Sequence, residues 1–161
     1  MMYQPLNAKV DPPNYDFSIE TLNDFSPGKE VSGLNGKYGK SEELSSQRGT
    51  KTLKFNVAQI RYKFPILVQE KDGLILDSFA RLPSYFLHDI FLQSLVNKFG
   101  KQTSYKKVGE EAVYIWEKED LKLIYSASCT ITCFPIFYAA QPLKAKTLPL
   151  LEQMKKASQG N

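Results

Sequence analysis

The chain of 161 residues has the length of one domain, and 42% of its residues are hydrophobic and 24% charged, as in ordinary globular proteins. This composition argues against an intrinsically disordered chain, a coiled coil and a membrane protein. The 21 basic and 17 acidic residues give a net charge of +4. They are scattered along the chain, which argues against a dedicated surface for nucleic acid or anionic lipid.

No run of the chain approaches the about 18 consecutive apolar residues that a membrane-spanning helix needs, so we expect no membrane span. The start Met1-Met2-Tyr3-Gln4-Pro5 also lacks the basic residues and apolar run of a secretory signal. We therefore expect a cytoplasmic protein, or a periplasmic or outer-membrane-associated one if a signal has been trimmed.

The first part of the chain predicts a flexible leader and then a helix. Residues 1–16 contain three prolines and little apolar periodicity, which favours a leader without regular structure. A single domain is predicted over residues 17–161. Ser26 is placed to cap a helix with Pro27 in its first position, and Gly39 is placed to end it, so the first helix is predicted over residues 27–38.

Strands are predicted next, followed by a second helix. Runs rich in β-branched and aromatic residues cover residues 52–57 and 59–69, and Asp72-Gly73 predicts a hairpin turn before a return strand. The second helix, with one apolar face, is predicted over residues 84–99 and ends at Gly100. The remaining predicted elements are strands at residues 112–116, 121–126 and 129–138, and a short C-terminal helix capped by Thr147.

Two short matches in the same order predict an internal duplication. Lys37-Tyr38-Gly39-Lys40 aligns with Lys98-Phe99-Gly100-Lys101 at an offset of 61, and Phe64-Pro65-Ile66 aligns with Phe134-Pro135-Ile136 at an offset of 70. Repetition of this kind indicates that one supersecondary unit occurs twice.

The predicted fold class is α+β, with two tandem helix-plus-antiparallel-meander units forming a two-layer sheet covered by helices. The repeats are predicted at about residues 25–82 and 83–140, with both helices on the same side of the sheet. Gly39 and Gly100 are predicted to have positive φ as the residues that end these helices.

The sequence Ser26-Pro27-Gly28, followed by Val31, Leu34, Tyr38-Gly39-Lys40 and a strand meander, resembles the small outer-membrane-assembly lipoproteins of the BamE (SmpA/OmlA) type. Two such units in tandem are similar to the β-lactamase inhibitor protein architecture. This resemblance implies a bacterial cell-envelope protein that recognises a protein partner.

No pattern of residues predicts catalysis or a cofactor. His88 and Asp89 are neighbours on the predicted second helix, so their side chains lie about 100° apart and do not form a dyad. No G-x-S-x-G motif, phosphate-binding loop or dinucleotide fingerprint occurs in the sequence. We predict no catalytic residue, no cofactor and a structural or surface role for His88.

The two cysteines, Cys129 and Cys133, fall within one predicted strand. Four residues of extended chain span about 13 Å, whereas bridged Cα atoms lie within about 7 Å. We therefore predict two buried free thiols, and a bridge would require a bulge or turn between them. Metal binding is not predicted, because this C-x-x-x-C pair supplies two ligands and His88 is distant in sequence.

Strand aromatics are the remaining candidates for a site, because an open sheet face bearing Tyr and Trp suits partner recognition. The leading hypothesis is a non-enzymatic binding module that recognises a protein partner through one sheet face. The alternatives are a small-molecule-binding or enzymatic domain with a site between the repeats, and binding of single-stranded nucleic acid through stacked aromatics. The predicted partner-binding residues are Tyr62, Phe64, Tyr114, Trp116, Tyr125 and Tyr138.

Overall fold

The structure is a computed structural model that describes residues 15–59, 62–83, 86–145 and 147–159. For Gln59, Tyr62 and residues 157–159 the description covers the backbone alone. The predicted leader, residues 1–16, lies almost entirely outside the described residues.

Four short helices and eight strands make up the described chain. The helices are α1 (Asp16–Asn23), α2 (Val31–Tyr38), α3 (His88–Phe99) and α4 (Leu150–Gln159). The strands are β1 (Glu42–Gln47), β2 (Thr50–Gln59), β3 (Tyr62–Lys71), β4 (Leu74–Leu82), β5 (Ser104–Val108), β6 (Glu111–Lys118), β7 (Leu121–Cys129) and β8 (Cys133–Pro142). The helix α1 and the strands β1 and β5 were not predicted.

All eight strands belong to one antiparallel sheet in the order β1-β2-β3-β4-β8-β7-β6-β5. The junction of its two halves is the pairing of β4 with β8, from Ser78 opposite Ala140 to Leu82 opposite Ile136. This pairing joins two meanders into a single sheet with β1 and β5 as its edges.

The coarse class α+β is confirmed, but the predicted arrangement of two helix-plus-meander units in a helix-covered two-layer sheet is wrong. The direct β4 to β8 pairing makes one continuous sheet that dominates the structure. Its helices are 8 to 12 residues long and are divided between its two faces, so they cover it only in part. The boundaries of the two sequence repeats stay a prediction.

The larger core lies between α1, α2, α3 and one face of the sheet. Ile19, Leu34 and Phe91 from the helices belong to the same buried cluster as strand residues such as Phe55 and Tyr125. Alternate side chains of a strand point to opposite faces, and this explains why β2 presents three buried apolar residues at every second position. These are Leu53, Phe55 and Val57.

The helix α2 begins four residues later than predicted because the segment before it pairs with β4. The backbone N–H of Gly28 donates to the carbonyl of Ile75 at 2.8 Å, and the carbonyl of Lys29 accepts from the N–H of Ile75 at 2.9 Å. Residues bound in this way to a strand are not available for a first helical turn, so the predicted start at Pro27 is wrong.

The prediction for the glycines that end α2 and α3 is confirmed. Gly39 has φ 91° and ψ 168°, and Gly100 has φ 86° and ψ −172°. These ψ values lie beyond the left-handed helical region, in a region that essentially only glycine occupies.

The opposite face of the sheet carries α4 over a smaller apolar cluster. Leu150 and Leu151 pack there with Phe79, Ile124 and Ala139. The backbone N–H of Leu150 donates to the Asp77 carboxylate at 2.6 Å, so Asp77 on β4 caps this helix in place of the predicted Thr147. No helix in the described residues is long and apolar enough to cross a membrane.

Candidate functional site

A groove of about 550 Å³ lies on the sheet face that carries α4, and it crosses the junction of the two halves of the sheet. Its walls come from strands β2, β3, β4, β6, β7 and β8 and from α4. The lining residues are Lys54, Pro65, Leu67, Phe79, Arg81, Glu111, Ser128, Pro135, Phe137, Leu151, Met154 and Lys155.

The floor of the groove is apolar and closely packed. Phe79 and Phe137 on the paired strands β4 and β8 contact each other with ring centroids 5.4 Å apart, and Leu67 packs against the same cluster. These side chains lie on the face opposite the main core because they occupy the alternate positions of their strands. The register of the paired strands therefore determines which side chains form the floor.

Three cations border this floor. Arg81 lies opposite Phe137 in the β4 to β8 register, and its guanidinium carbon is 5.0 Å from the ring centroid of Phe134. Lys54 occupies a groove-facing position of β2, and Lys155 projects from α4. Neither Lys54 nor Arg81 forms a salt bridge within the described part of the chain.

One acidic side chain, Glu111 on β6, is held inside the groove wall by two neighbours. Its Oε2 lies 3.1 Å from Lys155 Nζ and accepts a hydrogen bond from the Ser126 hydroxyl. Burial acts to raise the pKa of Glu111, but these two hydrogen bonds and the charge of Lys155 outweigh it and lower the pKa below its usual value. Glu111 is therefore a carboxylate that competes for Lys155 with any acidic ligand.

Most of the predicted partner-binding aromatics lie away from this groove, in the helix-covered core. Phe64, Trp116, Tyr125 and Tyr138 are at most 3% exposed, and the Trp116 indole N–H donates to the Gly100 carbonyl at 2.8 Å. Because they are buried, these four side chains are not exposed for contact with a partner. Alternation along the strands predicted which aromatics share a face, but not which face would be covered.

Tyr114 and Tyr62 differ from the other four aromatics. Tyr114 is half-buried, with its ring 4.9 Å from that of Tyr105 and 6.0 Å from that of Tyr125. Tyr62 begins β3, and its side chain lies outside the described residues. The sequence does contain a pattern that could have predicted the groove. Alternate positions of β3 and of β4 face it, and these positions include Pro65, Leu67, Phe79 and Arg81.

His88 lies at the start of α3 in an aromatic setting. Its Nδ1 is 2.7 Å from the Tyr125 hydroxyl, and the two rings stack with centroids 5.6 Å apart. Burial lowers the pKa of His88, and the nearby Asp89 carboxylate opposes this effect. Asp89 itself is 99% exposed, with 3.9 Å between its Oδ1 and Nε2 of His88.

The prediction of two free thiols is wrong, because Cys129 and Cys133 form a disulfide bond. The predicted continuous strand is in fact a hairpin: β7 ends at Cys129, β8 begins at Cys133, and the two residues pair across it with Cα atoms 3.9 Å apart. Ile131 stands at the tip of the turn, 98% exposed. The argument from extended geometry failed because the chain reverses between the cysteines.

The hairpin end also brings the disulfide to His88. One ring nitrogen of His88 and the two Sγ atoms all lie within 4.8 Å of one another. Among the described residues this is the one cluster of three His, Cys, Asp or Glu side chains with that proximity. Sequence distance between His88 and the cysteines had concealed it.

No protein-family model and no curated protein matches this chain. Among solved structures, the chain is similar to the crystal structure of a DUF4309 family protein, YjgB, from Bacillus subtilis. That match has a TM-score of 0.45 and 11% sequence identity, and it covers 71% of this chain and 78% of the other. At this level of similarity it carries no conclusion about function. The resemblance to BamE-type lipoproteins and the β-lactamase inhibitor protein stays a prediction.

Proposed function

We propose that this chain is a non-enzymatic binding module that recognises a protein partner through the groove on the α4 side of its sheet. The occupant is a segment of the partner that carries both acidic and apolar side chains. The observation behind this proposal is the apolar floor of the groove, bordered by Lys54, Arg81 and Lys155.

Charge and shape both support such an occupant. A ligand with apolar side chains would remove Phe79, Phe137 and Leu67 from water, which is the main source of binding energy at an apolar surface. A carboxylate on the ligand would meet Arg81, whose planar guanidinium suits bidentate recognition of carboxylates. Since Arg81 and Lys54 have no salt bridge in the described chain, ligand binding breaks no existing pair at these two positions.

The size of the groove also favours a second candidate, an apolar small molecule with a carboxylate group. Its volume of about 550 Å³ lies within the roughly 300 to 1,000 Å³ typical of small-molecule sites. Its position across the β4 to β8 junction supports the alternative of a site between the two predicted repeats. The same cations would bind the carboxylate of either ligand.

Binding of single-stranded nucleic acid is less well supported. That hypothesis requires aromatic rings on which bases can stack, and Phe64, Trp116, Tyr125 and Tyr138 are buried. We retain it only as an outcome of the binding experiment.

A location in the bacterial cell envelope is part of the proposal. Its support is the Cys129 to Cys133 disulfide, because such bonds persist in oxidising compartments and are rare in the cytosol. Alkylation of free thiols immediately on cell lysis, followed by a gel-shift assay, tests this location. A chain trapped fully reduced in growing cells would contradict it.

The binding proposal is tested with four probes, using two-dimensional NMR to locate any bound ligand. The probes are a short peptide of alternating leucine and aspartate, the same peptide with asparagine for aspartate, a straight-chain fatty acid and a single-stranded oligonucleotide. We expect the acidic peptide to bind best and to shift backbone signals of β3, β4 and β8. Preference for the fatty acid supports the second candidate, and preference for the oligonucleotide contradicts both.

A matched pair of variants controls for non-specific charge attraction. Arg81→Ala is expected to weaken peptide binding by about fivefold, as for loss of one exposed ion pair of about 1 kcal/mol. Lys71→Ala removes the same charge at an exposed end of β3, far from the groove lining, and should leave the affinity unchanged. Equal effects of the two substitutions would exclude the groove as the binding site.

A further inference from the structure

The cluster of His88, Cys129 and Cys133 has the composition of a metal site. In the described residues, a ring nitrogen of His88 and both Sγ atoms lie within 4.8 Å of one another. Imidazole nitrogen and thiolate sulfur are the ligands that zinc prefers in proteins. In the structure the two sulfurs are joined in a disulfide, so the cluster can bind a metal only after that bond is reduced.

The distances require little movement after reduction. Zinc binds thiolate sulfur at about 2.3 Å and imidazole nitrogen at about 2.0 to 2.1 Å in a tetrahedron. Ligand atoms on one zinc ion are therefore about 3.3 to 3.8 Å apart, given these bond lengths. The His88 nitrogen and the sulfurs, which lie within 4.8 Å of one another, would therefore approach by at most about 1 Å. The two sulfurs, which are bonded in the structure, would separate to this distance once the disulfide is reduced.

The fold already orients the histidine ring. The Tyr125 hydroxyl lies 2.7 Å from Nδ1, and the two rings are stacked with 4° between their planes. A hydrogen bond to one ring nitrogen is the usual means by which proteins fix the tautomer of a metal-binding histidine and leave the other nitrogen free. Tyr125 is itself fully buried, so this partner is rigidly placed.

We propose that reduction of the Cys129 to Cys133 bond creates a zinc site with His88, Cys129 and Cys133 as its three protein ligands. The fourth position of the tetrahedron is left to water or another small ligand. This site lies on the helix-covered side of the sheet, away from the proposed binding groove, and does not depend on it. It also revises the expectation, drawn from sequence spacing, that no metal binds.

The reaction balances with a dithiol as reductant. The dithiol transfers two electrons and two protons to the protein disulfide, giving two cysteine thiols and one oxidised cyclic disulfide. Binding of Zn²⁺ then displaces one proton from each thiol, and two protons are released to solvent. The neutral imidazole of His88 binds through a nitrogen lone pair without losing a proton.

The test uses the full chain, reduced with a dithiol and desalted without oxygen. Titration with Co²⁺ is expected to produce a thiolate-to-cobalt charge-transfer absorption that saturates at one ion per chain and disappears when Zn²⁺ is added. The unreduced chain should give no such absorption. Absence of saturable binding in the reduced chain would overturn the proposal.

The single histidine of the chain allows a direct test in the unaltered protein. NMR of the imidazole nitrogens reports on His88 alone, and one equivalent of Zn²⁺ should shift the signal of its coordinating nitrogen in the reduced chain. An unchanged signal would exclude His88 as a ligand even where the cysteines bind metal. This measurement needs no variant, so it is unaffected by any folding defect.

Three variants separate ligation from a structural role. His88→Gln should weaken zinc binding by more than tenfold, and Tyr125→Phe by about tenfold, as for loss of an outer partner of a ligand. Asp72→Asn, which changes an exposed residue in the turn between β3 and β4 and outside the cluster, should bind as the unaltered chain does. Equal affinity of His88→Gln and Asp72→Asn would contradict the proposal, provided that circular dichroism shows both to be folded.

Discussion

The carboxylate of Asp77 accepts a hydrogen bond from the backbone N–H of Leu150, with 2.6 Å between Oδ2 and N. Asp77 lies on β4, and Leu150 is the first residue of α4, so one buried side chain fixes the start of this helix to the sheet. The other oxygen of Asp77 accepts from the Gln69 amide at 2.8 Å. Burial raises the pKa of Asp77, and these two hydrogen bonds oppose that effect.

Replacing Asp77 with alanine should destabilise the protein. The substitution leaves the buried donors of Leu150 and Gln69 without their acceptor, and such a loss costs about 1 to 3 kcal/mol. Urea unfolding measures the change in the free energy of unfolding. As a control, Asp72→Asn removes the same charge at an exposed turn residue with φ 55°, a conformation asparagine tolerates, and it should change stability by less than about 0.5 kcal/mol.

The glycines of α2 provide a pair of substitutions with opposite expected signs. Gly39→Ala should destabilise the protein by about 1 to 3 kcal/mol, because φ 91° with ψ 168° is a glycine conformation. Gly36→Ala lies inside the helix, where an added Cβ meets no atom within 4 Å, and it should stabilise by about 0.5 to 1 kcal/mol. Thermal unfolding of both variants tests the pair, and two changes of the same sign would contradict the assignment of the helix end.

Asp24 should make stability depend on pH in the acid range. Burial acts to raise its pKa, but hydrogen bonds from Lys37 at 2.7 Å and Tyr38 at 2.6 Å, with the charge of Lys37, outweigh burial and lower the pKa. A lowered pKa in the folded state means that the ionised carboxylate stabilises the fold above the unfolded-state pKa. This contribution is lost as the pH falls through the folded-state value.

The substitution Asp24→Asn should therefore lower stability at neutral pH, and the difference from the unaltered chain should shrink as the pH falls below about 4. Urea unfolding from pH 7 to pH 3 measures it. Lys37→Met keeps the Asp24 carboxylate but removes its charged partner. The stability of this variant should therefore also depend less on pH between 7 and 3 than that of the unaltered chain. A difference that grows towards low pH would show that the sign is wrong.

Local signals in the sequence were sufficient for some elements of the fold. Gly39 and Gly100 predicted both helix ends, because helix termination by glycine depends on the conformation of one residue. The cysteine prediction failed because the corresponding local signal was missing. Thr130, Ile131 and Thr132 form a turn that contains no glycine, proline or asparagine. Since threonine and isoleucine favour strands, the sequence of a hairpin was interpreted as one strand.

The site residues depended on contacts between distant parts of the chain. Asp77 reaches Leu150 across 73 positions, and His88 reaches Tyr125 across 37. No periodicity or spacing encodes such pairs. The pairing of β4 with β8 is also a contact between distant parts of the chain. It makes the sheet continuous, and it brings together Phe79 and Phe137, which form the floor of the groove.

The ion pair between Glu111 and Lys155 leads to a prediction about ligand affinity. The two side chains lie 3.1 Å apart in the groove wall, so an acidic ligand must compete with Glu111 for the Lys155 ammonium. Glu111→Gln removes this competition and one negative charge, while the Gln side chain can still accept the Ser126 hydrogen bond. An exposed ion pair is worth about 0.2 to 1 kcal/mol, so affinity for the acidic peptide should rise by about 1.5-fold to fivefold, with a smaller gain at high salt. Glu110→Gln, an exposed neighbour outside the groove lining, is the matched control. Weaker binding by Glu111→Gln than by this control would show that Glu111 contacts the ligand directly, and the assignment of the cations as the recognition elements would then be wrong.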